Sequence, residues 1–157
     1  MVRVGVTGIF LGYYIPWDGH NNALVAQAYG FESWPTIVEG SIINYENLDN
    51  LQMRIHDYFK FLKFGFDRTN DWCSLHIRRG RISRKQGVEL VSKLGGKFPN
   101  KYLGVPIKEV LEEIDMTREE FEKVCDRFTN KKLFKKDTRG NLLKDKHGNL
   151  IPNWEIE

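Results

Sequence analysis

The chain has 157 residues, of which 41% are hydrophobic and 29% charged, with a net charge of +3. This length supports one domain with a sizeable core and is short for two, and the composition is that of an ordinary globular protein. The small net charge gives no general argument for nucleic acid, no apolar run approaches membrane-spanning length, and no secretory leader pattern opens the chain, so a cytoplasmic protein is expected.

Residues 2–14 are β-rich, nearly continuously apolar and interrupted by Gly5, Gly8 and Gly12, which predicts a strand covered on both faces. It runs into Trp17-Asp18-Gly19-His20-Asn21-Asn22, a loop followed by a predicted helix over 21–29 that Gly30 closes. Two short β-like pieces, 36–38 and 42–43, come next. Residues 47–64 give the clearest pattern in the chain. Leu48, Leu51, Ile55, Tyr58, Phe59 and Leu62 recur at spacings of three and four, with Asn47 or Asp49 to cap the start and Gly65 just past the end.

A further helix is predicted over 70–79. Two capping boxes, Ser83-Arg84-Lys85-Gln86 and Thr117-Arg118-Glu119-Glu120, open helices through Leu94 and Phe128. Between them Pro106 suits the first position of a short helix with Ile107, Val110, Leu111 and Ile114 inward. The tail repeats an Asp-x-x-Gly-Asn turn at Asp137 and Asp145, which predicts successive tight turns; the spacing lacks the alternating carboxylates and closing Glu of a calcium loop. The organisation expected is the end of an α/β domain at 1–45, a helical region at 46–130 and a turn-rich tail at 131–157. A doubly buried strand needs neighbours that this sequence hardly supplies, so the chain reads as the last part of an α/β domain whose earlier strands lie elsewhere.

Two segments carry candidate chemistry. In an open α/β sheet, ligands sit beyond the carboxyl end of a strand, where this chain places Tyr14, Trp17, Asp18 and Asn21. A ring to stack on, an acceptor and an amide suit a ligand there; the same residues equally suit a tight turn whose Asp18 caps the next helix. The second segment, His76-Ile77-Arg78-Arg79-Gly80-Arg81, continues to Arg84 and Lys85 with no acid between. Arginine forks match phosphate oxygens, and the helix start at Ser83 adds backbone donors, so Arg78, Arg79 and Arg81 suit a phosphate or diphosphate. A solvated basic helix end is the plainer alternative. Nucleic acid is the weaker rival for these charges, because acids abound between this run and the next one at Lys131-Lys132. Cys73 and Cys125 are expected as reduced core thiols, and the four histidines lack metal-ligand spacing, so no structural metal is expected. No nucleophile elbow, P-loop or dinucleotide fingerprint is present.

Four blocks together resemble a known family: 11–19 (Leu-Gly-Tyr-Tyr-Ile-Pro-Trp-Asp-Gly), 39–49 (Glu-Gly-Ser-Ile-Ile-Asn-Tyr-Glu-Asn-Leu-Asp), 56–66 (His-Asp-Tyr-Phe-Lys-Phe-Leu-Lys-Phe-Gly-Phe) and 76–83 (His-Ile-Arg-Arg-Gly-Arg-Ile-Ser). They are similar to the C-terminal part of bacterial N-acetyl sugar amidotransferases, of the PP-loop ATP pyrophosphatase superfamily, which serve lipopolysaccharide and surface-sugar biosynthesis. The resemblance implies the C-terminal part of a PP-loop, adenine nucleotide alpha hydrolase-like domain, with one or two strands followed by a mostly helical region. It implies an enzyme that uses ATP, with magnesium, to convert the acetamido group of a nucleotide-linked sugar to an acetamidino group. Ammonia would come from a glutaminase subunit. The family's Ser-Gly-Gly-x-Asp-Ser loop and zinc-binding cysteines are missing from this sequence, so no cofactor is expected on this chain alone. The N-terminal half of the same enzyme is then an expected partner beside the nucleotide sugar. The competing expectation is a non-catalytic module that binds an anionic partner through the arginine cluster.

Overall fold

The computed structural model describes residues 5–155, which fall into two compact units, Met1–Ser33 and Trp34–Glu157. In the first unit no strand is formed among the described residues of the segment 2–14. Residues 2–4 of that segment lie outside the described residues, and 5–14 are irregular apart from a 3-10 turn, Leu11–Tyr13. Val6, Ile9 and Phe10 are exposed there. A strand is held by ladder hydrogen bonds to a neighbour, and among the described residues this segment has none. Helix α1 (Gly19–Ala28) follows, capped by Asp18 and ended at Gly30, whose φ of +95° lies in the left-handed region.

The second unit holds α2 (Met53–Phe64), α3 (Arg68–Arg78), α4 (Arg84–Leu94), β1 (Lys101–Tyr102), β2 (Val105–Pro106), α5 (Ile107–Glu112) and α6 (Arg118–Phe128). The predicted β-like pieces at 36–38 and 42–43 are loop. Helix α2 begins six residues later than its apolar pattern. Residues 47–52 form turns with Asn47 at a φ of +55°, and neither Asn47 nor Asp49 caps the helix. Its end at a left-handed Gly65 is as expected. Helix α3 starts at Arg68, because Asp67 and Asn70 form a reciprocal capping box. Both boxes read from sequence are formed, at Ser83 with Gln86 and at Thr117 with Glu120. Pro106 is the N-cap of α5 rather than its first residue; Ile107 and Leu111 are buried and Ile114 is exposed.

The only sheet among the described residues is the antiparallel pair β1–β2, with Tyr102 opposite Val105. Leu103 and Gly104 between them both have positive φ, +48° and +79°, the twist a two-residue hairpin requires. The architecture is therefore α/β in content, with its two strands after α4 rather than ahead of the helices. In the tail, bridges Lys136–Leu142 and Lys144–Leu150 close the two repeated turns, whose Asp137 and Asp145 carboxylates accept backbone N–H groups.

The main core gathers Tyr58, Phe61 and Leu62 of α2, Leu111 of α5 and Phe121 and Cys125 of α6 around Phe134 and Leu150 of the tail. Its rings meet edge to face: Tyr58 with Phe98 at 5.5 Å and Phe61 with Phe134 at 5.3 Å between centroids. Each fully buried apolar side chain of this kind contributes about 1.5–3 kcal/mol. The tail is thus part of the core, since Phe134 is completely buried.

Candidate functional site

In the first unit, Tyr14 and Trp17 are largely exposed, and the Tyr13 and Tyr14 rings pack edge to face at 5.2 Å. A Cβ on Gly12 would stand 3.1 Å from the Trp17 Cβ, so the turn at 11–13 depends on glycine for its closeness to Trp17. Asp18 is buried and its carboxylate accepts the His20 N–H at 3.0 Å. That hydrogen bond makes Asp18 the cap of α1. Asn21 is exposed in the first turn of the same helix.

In the second unit, Arg78 ends α3, Arg79 is its C-cap, and Gly80 turns the chain with a φ of +68° before Ser83 opens α4. Helices α3 and α4 pack closely at Gly87, where a Cβ would come within 2.7 Å of the Ile77 Cδ1. Between the two helices lies a groove of about 300 Å³. Arg78 and Arg84 line it, with Asn70 and Ser74 as neutral polar groups. Arg78 is oriented by its Nη1, which donates to Ser74 Oγ at 2.5 Å. Arg79 and Arg81 are not in this wall. Arg84, the first residue of α4, belongs to the same charge run but was not among the candidate arginines.

The groove continues into a larger cavity of about 560 Å³, because Asn70, Arg84 and Val91 border both. Gly95, Gly96, Lys97, Asp145 and Trp154 also line it. Two fully buried groups hold the wall in place. Asp67 accepts the Thr69 N–H at 2.9 Å through one oxygen and the Gly96 N–H at 2.8 Å through the other. Thr69 Oγ1 in turn donates to the Gly40 carbonyl at 2.9 Å. One carboxylate thereby ties the start of α3 to the turn after α4.

Behind this wall is a buried ionic network. Arg68 Nε meets Asp57 at 2.9 Å, and Arg68 Nη1 donates to the Tyr102 hydroxyl, which donates to the Asn47 carbonyl, each at 3.2 Å. The Asn47 side-chain oxygen, in the amide orientation that satisfies its surroundings, accepts from Arg68 Nη2 at 3.0 Å. Burial pushes the Asp57 carboxyl above its ordinary range, against the pull of Arg68.

Cys73 lines the α3–α4 groove, and burial raises the pKa of its thiol. Asp145, at the cavity rim, is held below the usual carboxylate range by the Asn149 side chain and serves its own turn. Among the described residues no three of His, Cys, Asp or Glu gather to hold a metal ion. Two arginines in the groove, with Arg84 also bordering the larger cavity, suit a ligand that carries an anionic group. No described helix is long and apolar enough to cross a membrane.

No curated protein matches the chain. A family model does, over residues 31–146, well beyond half of the chain and across the whole α2–α6 region with its arginine groove. On that match the chain belongs to the family described as LPS biosynthesis protein WbpG-like, C-terminal domain.

Proposed function

We propose that this chain is the C-terminal portion of an ATP-dependent amidotransferase of lipopolysaccharide or surface-polysaccharide biosynthesis, and that its α3–α4 groove receives the diphosphate of the nucleotide sugar whose acetamido group becomes acetamidino. The observation that carries the reading is Arg78 and Arg84 lining one groove inside the family-matched region. A diphosphate between two guanidinium groups makes charge-assisted hydrogen bonds, which are shorter and stronger than neutral ones. The larger cavity beyond Arg84 has room for a sugar or nucleoside. Arg79 and Arg81 add positive potential near the groove. Tyr14, Trp17, Asp18 and Asn21 are candidate substrate-binding residues of the first unit taken by itself.

On this reading the ATP site, with its magnesium, belongs to an N-terminal half of PP-loop type. A glutaminase subunit supplies ammonia, and the assembly works in the cytoplasm. The test is reconstitution of this chain with a polypeptide carrying the Ser-Gly-Gly-x-Asp-Ser loop, given ATP, ammonia and a UDP-linked N-acetyl sugar. Replacement of the amide oxygen by NH, seen by mass spectrometry only when both polypeptides are present, supports the proposal. Equal product without this chain overturns it.

A further inference from the structure

The larger cavity and the α3–α4 groove differ in charge. Arg78 and Arg84 line the groove, with no acid among the described residues around it. The cavity, of about 560 Å³, sets Asp145 and Glu155 against Arg84 and Lys97, so its wall is neutral in sum. An anionic group is therefore drawn to the groove, and the cavity suits an uncharged part of the same ligand. Arg84 borders both spaces, so a phosphate held by it has the cavity at hand.

Half-buried Trp154 gives the cavity wall an aromatic ring whose position is fixed. The neighbouring Asn153 N–H donates to the Leu133 carbonyl at 3.0 Å, and the indole lies 5.8 Å from the Phe134 ring between centroids. Gly65, at a φ of +81°, leaves room for it; a Cβ there would fall 2.9 Å from Trp154 Cη2. A ring already held in place loses little freedom when a base stacks on it. Around the ring, the Asp145 and Glu155 carboxylates are acceptors, as ribose hydroxyls require. The Asn70 side-chain oxygen accepts the Asp67 N–H at 3.1 Å, so what this amide offers a ligand is its own N–H groups. The sugar end fits the cavity less well. Its acetamido group has to meet ATP on another polypeptide, and a cavity in this chain would enclose it. The nucleoside takes no part in the reaction, so its binding can position the rest.

We infer that the larger cavity is a nucleoside subsite, with the Trp154 indole as the platform for the base, Asp145 and Glu155 accepting ribose hydroxyls, and the sugar left outside. The inference rests on the proposed diphosphate groove and adds which end of the substrate this chain holds.

The test is calorimetric titration of the full chain with UDP and, separately, with an N-acetylhexosamine 1-phosphate, which has the sugar and a phosphate but no nucleoside. UDP should bind at least about tenfold tighter, one decade in Kd. Trp154→Leu should weaken UDP about tenfold and leave the sugar phosphate unchanged, and Trp154→Phe, which keeps a ring, should recover most of the loss. Ser92→Trp should show the same selective loss without touching the core, because Ser92 is exposed on α4 and lines the cavity. Arg84→Ala should weaken both probes. UDP binding that Arg84→Ala weakens but Trp154→Leu and Ser92→Trp leave intact overturns the subsite while the groove stands. Sugar phosphate that binds as tightly as UDP and is the probe lost in Ser92→Trp puts the sugar in the cavity and overturns it as well. Binding indifferent to Arg84, or no binding of either probe, overturns the groove and the subsite together.

Discussion

Asp67 is the residue on which the shape of the larger cavity depends. Its carboxylate caps α3 through the Thr69 N–H and also satisfies the buried Gly96 N–H, 29 residues away in sequence. Replacement by alanine removes both contacts. Loss of the cap costs about 1 kcal/mol. The orphaned Gly96 N–H costs about 1–3 kcal/mol more, because no water reaches a fully buried donor. Asp67→Ala should therefore destabilise by about 2–4 kcal/mol, a large share of the total of about 5–15 kcal/mol typical of a domain. Asp67→Asn keeps one acceptor and should cost about half as much. The assay is urea unfolding, with a lowered midpoint at unchanged slope. Ser83→Ala is the reference, since it removes an exposed cap and should cost about 1 kcal/mol or less. If Asp67→Ala costs no more than Ser83→Ala, Asp67 is an ordinary helix cap and the clamp on the cavity wall is refuted.

Gly96→Ala places a Cβ 2.4 Å from the Phe61 ring at a φ of +64°, so it should lose at least about 1–2 kcal/mol from the left-handed backbone alone, read by the same urea titration. Tyr102→Phe removes the hydroxyl between Arg68 and the Asn47 carbonyl and should cost about 1–3 kcal/mol, whereas an effect below about 0.5 kcal/mol would show that the network reorganises around its loss. Burial pushes the Cys125 thiol up to about 12 from an ordinary value of 9.0, and raises the Tyr58 phenol as well. Their folded forms hold protons that the unfolded chain releases, so this contribution is complete below about 9 and is lost as pH rises through about 12. Thermal unfolding followed across that window should show falling stability, and Cys125→Ala should flatten the decline.

Much of the helical structure was legible in the sequence because its signals are local. The Ser83 and Thr117 boxes need only their own four residues, and Gly65 and Gly30 end helices by conformational freedom that no neighbour supplies. The apolar repeat from Leu48 overran the true start of α2 because periodicity registers a buried face, not a backbone. Residues 47–52 pack Leu48 partly inward, leave Leu51 exposed, and turn at the positive φ of Asn47. The hairpin at 101–106 escaped because Leu103 occupies a position where Asn-Gly or Asp-Gly is the usual signal, its strain offset by burial and by an N–H donated to Glu39. Residues 5–14 carry strand-forming composition, yet propensity forms no strand without a ladder partner.

The site was legible by composition only. The run around Arg78 flagged an anion, but which arginines share a wall depends on how α4 packs on α3 at Gly87. That packing brings Arg84 to Arg78.

The most direct measurement is calorimetric titration of the full chain with a UDP-linked N-acetyl sugar, beside Arg78→Ala and Arg84→Ala. Neither arginine is buried, so both variants should keep wild-type stability to within about 0.5 kcal/mol. The expected result is saturable binding that each variant weakens about tenfold, or about 1.4 kcal/mol. Absence of binding by the folded chain, or binding that both variants retain in full, would contradict a nucleotide-sugar groove between α3 and α4.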